Sequence, residues 1–270
     1  MILADSESFA EASKLAKRKI IELAYQAGKL GKGSHVGGSL SSIDFLLFVV
    51  LSGKFKIRPK GNDRLILSKG HAALALYTVL NMYETLPKEM LDAYPTYGSP
   101  LLGHPVRCPE FGIEISTGSL GMGISIAAGL AMSNKIRDFP AKTIVVVGDG
   151  ELNEGSVYES LRFSGKEKLT NLIILVDQNG FQQTGSTSDI AGEHDYKGLF
   201  ESLGFLTLRA NGHDYTSINS AFEEIDKSGS ANPKCILMQT LKGHGLPEQG
   251  TNKYHHVIVT ESMKNSFFEN

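Results

Sequence analysis

Apolar residues recur at helical spacing over residues 15–30, where Leu15, Ile20, Leu23, Ala24 and Ala27 form a stripe that stops at Gly28 and Gly31. A glycine-rich loop, 31–38, then leads to Ser41 and Ser42, which the pattern predicts as the cap of an apolar helix over 43–51. A short strand-like run at 64–67 is followed by Ser68-Lys69-Gly70-His71 and a second apolar helix over 72–82. Residues 94–112 are rich in proline and glycine and predict an irregular segment; so long a loop in a compact domain is usually functional or mobile. Thr143-Ile-Val-Val-Val147 and Asn171-Leu-Ile-Ile-Leu-Val176 are apolar throughout, as strands buried on both faces must be. A helix-length stretch over 156–166 joins them into a βαβ unit with parallel strands and a right-handed crossover. Further strands over 205–210 and 234–239 flank a helix over 217–227. The pattern predicts one doubly wound α/β domain spanning residues 1–270, a mainly parallel sheet flanked by helices.

Composition narrows this only slightly. The 270 residues are 41% hydrophobic and 21% charged, ordinary for a chain that buries a sizeable core. With 27 basic against 29 acidic side chains the formal charge is −2, which supplies no nucleic-acid footprint. The N-terminal segment lacks the basic and apolar regions of a secretory signal, and the apolar run at 43–51 is too short to span a bilayer. Cys108 and Cys235 lie far apart in no metal-like spacing, so the expectation is a reduced, cytoplasmic chain.

Chemistry concentrates where the two apolar strands end. In open α/β sheets ligands sit outside the carboxyl ends of parallel strands. The first strand runs into Gly148-Asp149-Gly150-Glu151 and the second into Asp177-Gln178-Asn179-Gly180-Phe181. The glycines around Asp149 let the backbone turn and leave its carboxylate at the strand tip. Asn179 lies one crossover away, so a carboxylate, an amide oxygen and a main-chain carbonyl can form a hard oxygen set for Mg²⁺ or Ca²⁺. Gly-Asp-Gly alone carries little weight, because an Asp after a strand is often just a helix N-cap. No Walker sequence is present. Gly118-Ser-Leu-Gly121-Met-Gly123 precedes an apolar helix over 124–132 and either offers its amides to a phosphate or permits tight helix packing.

These residues resemble the thiamine-diphosphate motif, which runs from Gly-Asp-Gly to an Asn-Asn pair; Gln178 stands at the first of those asparagines. More specifically, the chain resembles the N-terminal, diphosphate-binding part of transketolase. The resemblance rests on Gly33-Ser-His35-Val-Gly-Gly38, Leu67-Ser-Lys-Gly-His71-Ala, Gly103-His104-Pro105 and Ser116-Thr-Gly118-Ser-Leu120-Gly121-Met-Gly123, in the family's order, with a weaker match at Lys242-Gly-His-Gly245 and Tyr254-His255. It implies thiamine diphosphate with Mg²⁺ (or Ca²⁺), the metal being held by Asp149, the Asn179 side chain and the Phe181 carbonyl. It places Gly118, Leu120, Gly150, Glu151, Asn179 and Lys242 on the cofactor. His35, His71, His104 and His255 become the imidazoles around the reacting carbon, and Glu154 the acid of a carboxylate network across a subunit interface. Acids and bases near neutral pKa suit a reaction in which a ketose hydroxyl loses its proton as a carbon–carbon bond breaks. His244 and His256 have no support from the resemblance, and Gly212-His213-Asp214 is expected to start the following helix.

The family's second domain, which holds the aminopyrimidine and supplies its activating glutamate, has no counterpart in the sequence. The expectation is therefore a split enzyme acting on small sugar substrates, with a separate pyrimidine-binding subunit in an α2β2 assembly. Three other readings stand beside it: the α chain of a 2-oxo-acid dehydrogenase, a specialised acyl or ketol transferase, and a non-catalytic binding subunit. The first lacks the Ser-His-x-Gly-Gly and Ser-Lys-Gly-His segments, and the retained site residues argue against the last.

Overall fold

The computed structural model describes residues 3–268. Among them, strands β1 (Arg64–Leu67), β2 (Thr143–Gly148), β3 (Leu172–Gln178), β4 (Leu206–Asn211) and β5 (Lys234–Gln239) form one sheet in the order β1-β2-β3-β5-β4. Every neighbouring pair is parallel, as the apolar runs predict. The helices in chain order are α1 (Ser6–Lys29), α2 (Val36–Leu51), α3 (Ala73–Met82), α4 (Lys88–Asp92) and α5 (Met122–Ile136). They are followed by α6 (Gly155–Lys166), α7 (Thr187–Ala191), α8 (Tyr196–Ser202), α9 (Tyr215–Lys227) and α10 (Glu261–Phe268).

Strand side chains alternate between two cores. Ile144, Val146, Leu175 and Ile236 pack with residues of α1, α2, α3 and α9 on one face. Val145, Val147, Ile174, Val176 and Leu237 pack with α5, α6 and α8 on the other. Burial on both faces is why β2 and β3 are continuously apolar rather than alternating.

Two helix starts differ from the sequence expectation. Helix α1 begins at Ser6 rather than at residue 15, because Asp5 accepts the Ser8 amide at 2.8 Å and caps it. Its buried stripe runs through Phe9, Ala12, Ala16 and Ile20, and Leu15 is 47% exposed. Small alanines on that stripe carry a weak hydrophobic signal, which is why the exposed leucine misleads. Helix α2 begins at Val36, so Ser41 and Ser42 sit inside it and cap nothing. Their hydroxyls bond back to the Gly38 carbonyl at 3.1 and 2.9 Å, an alternative to capping that keeps them buried. Helix α10 was not anticipated; its Met263, Phe267 and Phe268 pack on the core beside α1.

Candidate active site

A cavity of about 620 Å³ opens at the carboxyl ends of β1, β2, β3 and β5. Its walls include every residue singled out from the sequence: His35, His71, His104 and His255; Glu154; Gly118, Leu120, Gly150 and Glu151; Asp149, Asn179, Phe181 and Lys242. The fold brings them together because Asp149 and Asn179 follow adjacent strands, with Gly148 opposite Asp177 in the ladder. Lys242 follows β5, the other neighbour of β3.

Asp149 is only 1% exposed. Its two oxygens accept the Gly150 and Gly180 amides at 2.8 and 2.6 Å. Burial pushes its carboxyl up to about 7 and the neighbouring Asp177 charge adds to that, against the pull of the two amides. Among the described residues no cation makes an ion pair with Asp149, and Lys69 acts on it only at a distance. The Asn179 amide oxygen, 3.0 Å from the Phe181 amide that donates to it, adds a hard donor at the same wall. The donor set and the unmet demand for positive charge both fit a divalent cation.

Behind this wall lies a buried ion pair to which the sequence reading gave no role. Lys69 and Asp177 are 1% and 0% exposed, and the ammonium contacts the carboxylate directly. Asp177 also accepts from Ser41 Oγ at 2.6 Å, Ser42 Oγ at 3.2 Å, Asn179 Nδ2 at 3.0 Å and Thr240 Oγ1. Burial alone would raise the Asp177 pKa, but Lys69 and these donors hold it below the usual carboxylate value. The pair thus ties α2, the β1 tip, β3 and the β5 tip to one point. A signal was present: Asp177 is a charged residue at the end of an otherwise apolar strand, and Lys69 stands two residues before His71. Glu151 does a similar job at the β2 tip, accepting from Ser68 Oγ, the Gly121 amide at 2.8 Å and the Gly148 amide at 3.2 Å.

The imidazoles gather around His35. Its ring centroid lies 5.7 Å from His71, 5.5 Å from His104 and 5.4 Å from His255. His256, set aside in the sequence reading, stands closest at 4.7 Å, and nothing in its sequence context would have found it. Gly38 makes room for the cluster, since a Cβ there would lie 2.9 Å from His71 Cδ2. Burial lowers His35 to about 3 and His255 to about 4, with neighbouring imidazoles and Lys242 adding to the effect. Burial, then Lys69, depresses His71, and burial also depresses His104. All four rings are therefore neutral near pH 7; His35 and His255 lie well below the near-neutral values expected from the sequence, which makes them weak bases better suited to hydrogen-bonding than to holding a proton.

Lys242 Nζ donates to Asn252 Oδ1 at 2.6 Å, the Gln182 carbonyl at 3.1 Å and His255 Nδ1 at 3.0 Å. An ammonium cannot accept, so His255 carries its proton on Nε2. Burial lowers Lys242 to about 8. Glu154 is exposed at the cavity edge, and Gly121, at φ 78°, turns the backbone tightly beside it; a Cβ there would lie 2.8 Å from Glu154 Cβ.

A parallel sheet whose strand tips line one cavity with carboxylate, amide and imidazole groups has the architecture of a ligand-binding α/β domain. Comparison with known proteins makes the assignment specific: the chain belongs to the transketolase family, residues 23–263 matching the transketolase, thiamine diphosphate binding domain. It is 34% identical over 254 residues to one subunit of an apulose-4-phosphate transketolase from Phocaeicola vulgatus, covering 92% of this chain and 88% of that one. One subunit of a 6-deoxy-6-sulfo-D-fructose transketolase from a Clostridium species is 35% identical over 244 residues, with 88% of each chain covered. Among solved structures, transketolase from Campylobacter jejuni superposes with a TM-score of 0.84 at 31% identity, over 96% of this chain and 42% of that enzyme.

Proposed function

We propose that this chain is one thiamine-diphosphate-binding domain, the diphosphate- and metal-binding subunit of a two-chain transketolase. It would transfer a two-carbon ketol unit from a ketose to an aldose together with a separate pyrimidine-binding subunit, in an α2β2 assembly. The observation that carries this reading is the convergence of four neutral imidazoles on the cavity that holds Asp149 and Asn179. The relatives at 34% and 35% identity are themselves named as subunits, which supports the division into two chains. Their substrates, a phosphorylated and a sulfonated ketose, suggest a donor with an anionic end.

In this reading Asp149, the Asn179 side chain and the Phe181 carbonyl hold Mg²⁺ (or Ca²⁺). Main chain at Gly118, Leu120, Gly150 and Glu151, with Lys242, holds the diphosphate. Bound thiamine diphosphate would supply the electron sink for breaking a carbon–carbon bond. His35, His71, His104 and His255 orient the sugar oxygens, and a neutral ring among them accepts the donor hydroxyl proton. Glu154, exposed at the rim, meets the carboxylates of a neighbouring subunit. The enzyme would work in the cytoplasm. No helix among the described residues is long and apolar enough to cross a membrane.

The test is reconstitution. The chain purified with its pyrimidine-binding partner should transfer a ketol unit in the presence of thiamine diphosphate and Mg²⁺, and neither chain should do so alone. Robust transfer by this chain without a partner would overturn the two-chain reading, and oxidative decarboxylation of a 2-oxo acid in its place would overturn the reaction type.

A further inference from the structure

A second cavity, about 510 Å³, lies away from the strand-tip site, between α1, the start of α9, the loop after β5 and α10. Beneath its Ser13, Lys17, His213 and His244 lining lies Asp44, which is 1% exposed and ties them into an ion cluster. Asp44 Oδ2 accepts from His213 Nδ1 at 2.7 Å and from Lys17 Nζ at 2.9 Å, and Oδ1 accepts from Ser13 Oγ at 2.5 Å. Asp44, His213 and His244 bring potential ligand atoms within 4.8 Å of one another, a spacing that would admit a metal ion. The protons rule against it. His213 Nε2 accepts the Leu241 amide at 2.9 Å, so Nδ1 keeps its hydrogen, and Lys17 already supplies the cation.

The same proton logic exposes a donor. His244 Nδ1 faces two groups, Lys17 Nζ at 2.9 Å and Asp44 Oδ2 at 3.2 Å; the ammonium can only donate and is the nearer, so Lys17 bridges the carboxylate and the ring nitrogen. His244 Nδ1 is therefore an acceptor, and its ring hydrogen sits on Nε2, on a residue that lines the cavity. Lys14 and Arg18 line it too, and neither has an acidic partner among the described ion pairs; Arg18 rests over the Phe268 ring, 5.4 Å from its centroid. The first turn of the 13-residue α9 adds the Tyr215 amide, which has no intrahelical acceptor, and the Thr216 amide follows just behind the lining. Asp214 is the one acid on the lining among the described residues, and its carboxylate is engaged with the Ser217 amide at 2.6 Å. Phe9 and Tyr215 supply apolar wall.

We propose that this cavity is a second ligand site, which binds the phosphate ester of a small metabolite through Lys14, Arg18, His244 and the start of α9. A guanidinium and an ammonium without acidic partners among the described residues, an imidazole N–H and a helix-start amide together match a phosphate dianion. The volume suits a ligand of nucleotide size or smaller.

Ribose 5-phosphate and AMP share the phosphate ester and differ by the base, so they separate a sugar-phosphate ligand from a nucleotide. Each is titrated into ¹⁵N-labelled full-length chain, wild type and K14Q/R18Q, in phosphate-free buffer, following the amides of Tyr215, Thr216 and Gly245. Both changes lie on α1, away from the cofactor cavity, and thermal melting checks that the variant folds; H244Q serves as a second variant. Saturable shifts at these three amides, weakened about tenfold or more in K14Q/R18Q, support the site. Equal affinity for the two probes marks a sugar phosphate as the ligand, and tighter AMP marks a nucleotide. Shifts identical in wild type and both variants, or confined to the strand-tip cavity, overturn the proposal.

Discussion

Asp149 makes a quantitative prediction about the metal-free protein. Its carboxyl is pushed from an ordinary 3.8 up to about 7 by burial and by Asp177. Between those values the native chain holds a proton that the unfolded chain has lost, so this group makes stability fall as pH rises. The full cost of ionising it is about 4 kcal/mol, at about 1.36 kcal/mol per pH unit of difference. At 1% exposure, solvent screens little of it. The buried histidines tilt the total in the opposite sense, which is why the comparison must be with Asp149→Asn, where their contribution is common to both proteins. The asparagine brings a fixed penalty of its own, about 1–3 kcal/mol, because its NH₂ must face the Gly150 or Gly180 amide. That penalty does not vary with pH. Urea unfolding in EDTA at pH 5 and pH 8 should therefore show the variant gaining about 2–3 kcal/mol on wild type over the interval. Adding Mg²⁺ with thiamine diphosphate should stabilise wild type and leave the variant unmoved. A difference that is flat with pH, or that shrinks, would falsify the assignment of Asp149 as a buried carboxylate awaiting a cation.

Three further outcomes follow from the same geometry. Burial lowers His35 to about 3 and His255 to about 4, so their contribution is complete above about pH 6.5 and is lost as pH falls toward 4; His35→Gln should flatten the acid limb of the stability curve, and an unchanged limb counts against a neutral buried ring. Lys69→Met strands Asp177 without its cation and should cost about 3–5 kcal/mol in urea unfolding, part of it recovered in Lys69→Met/Asp177→Asn, which removes the stranded charge and keeps an acceptor for Ser41 and Thr240; equal losses in single and double variants would refute the pairing. Gly38→Ala places a Cβ 2.9 Å from His71 Cδ2, and should lower kcat of the reconstituted enzyme more than its affinity for thiamine diphosphate, measured by calorimetry.

Legibility in the sequence followed the physics of each element. The sheet could be read because parallel strands buried on both faces must be apolar at every position, and β2 and β3 are. Helix starts were harder. The N-terminal part of the α1 stripe is Phe9 followed by the small residues Ala12, Ser13 and Ala16, and the serines of α2 satisfy their hydroxyls within the helix instead of at its end. The cavity residues were legible because glycines and histidines cluster at strand ends, where side chains have no packing role to explain them.

What the sequence left hidden is the support beneath those residues, and the reason is distance along the chain. Asp177 gathers partners from positions 41, 42, 69, 179 and 240, and only the last turn of β3 makes Asn179 a neighbour in sequence. Such a node has no spacing rule, since its members are set by sheet order rather than by helical or strand period. Yet it constrains the cavity more tightly than any single wall residue. Ser41 and Ser42 fix the helix that begins beside His35, Lys69 fixes the turn that carries His71, and Thr240 precedes Lys242 by two residues. Three of the groups proposed to act on diphosphate and sugar are thus held in register by one buried carboxylate. On this argument the conservative change Asp177→Asn should disturb His35, His71 and Lys242 together, whereas substitutions at each of those residues should act separately.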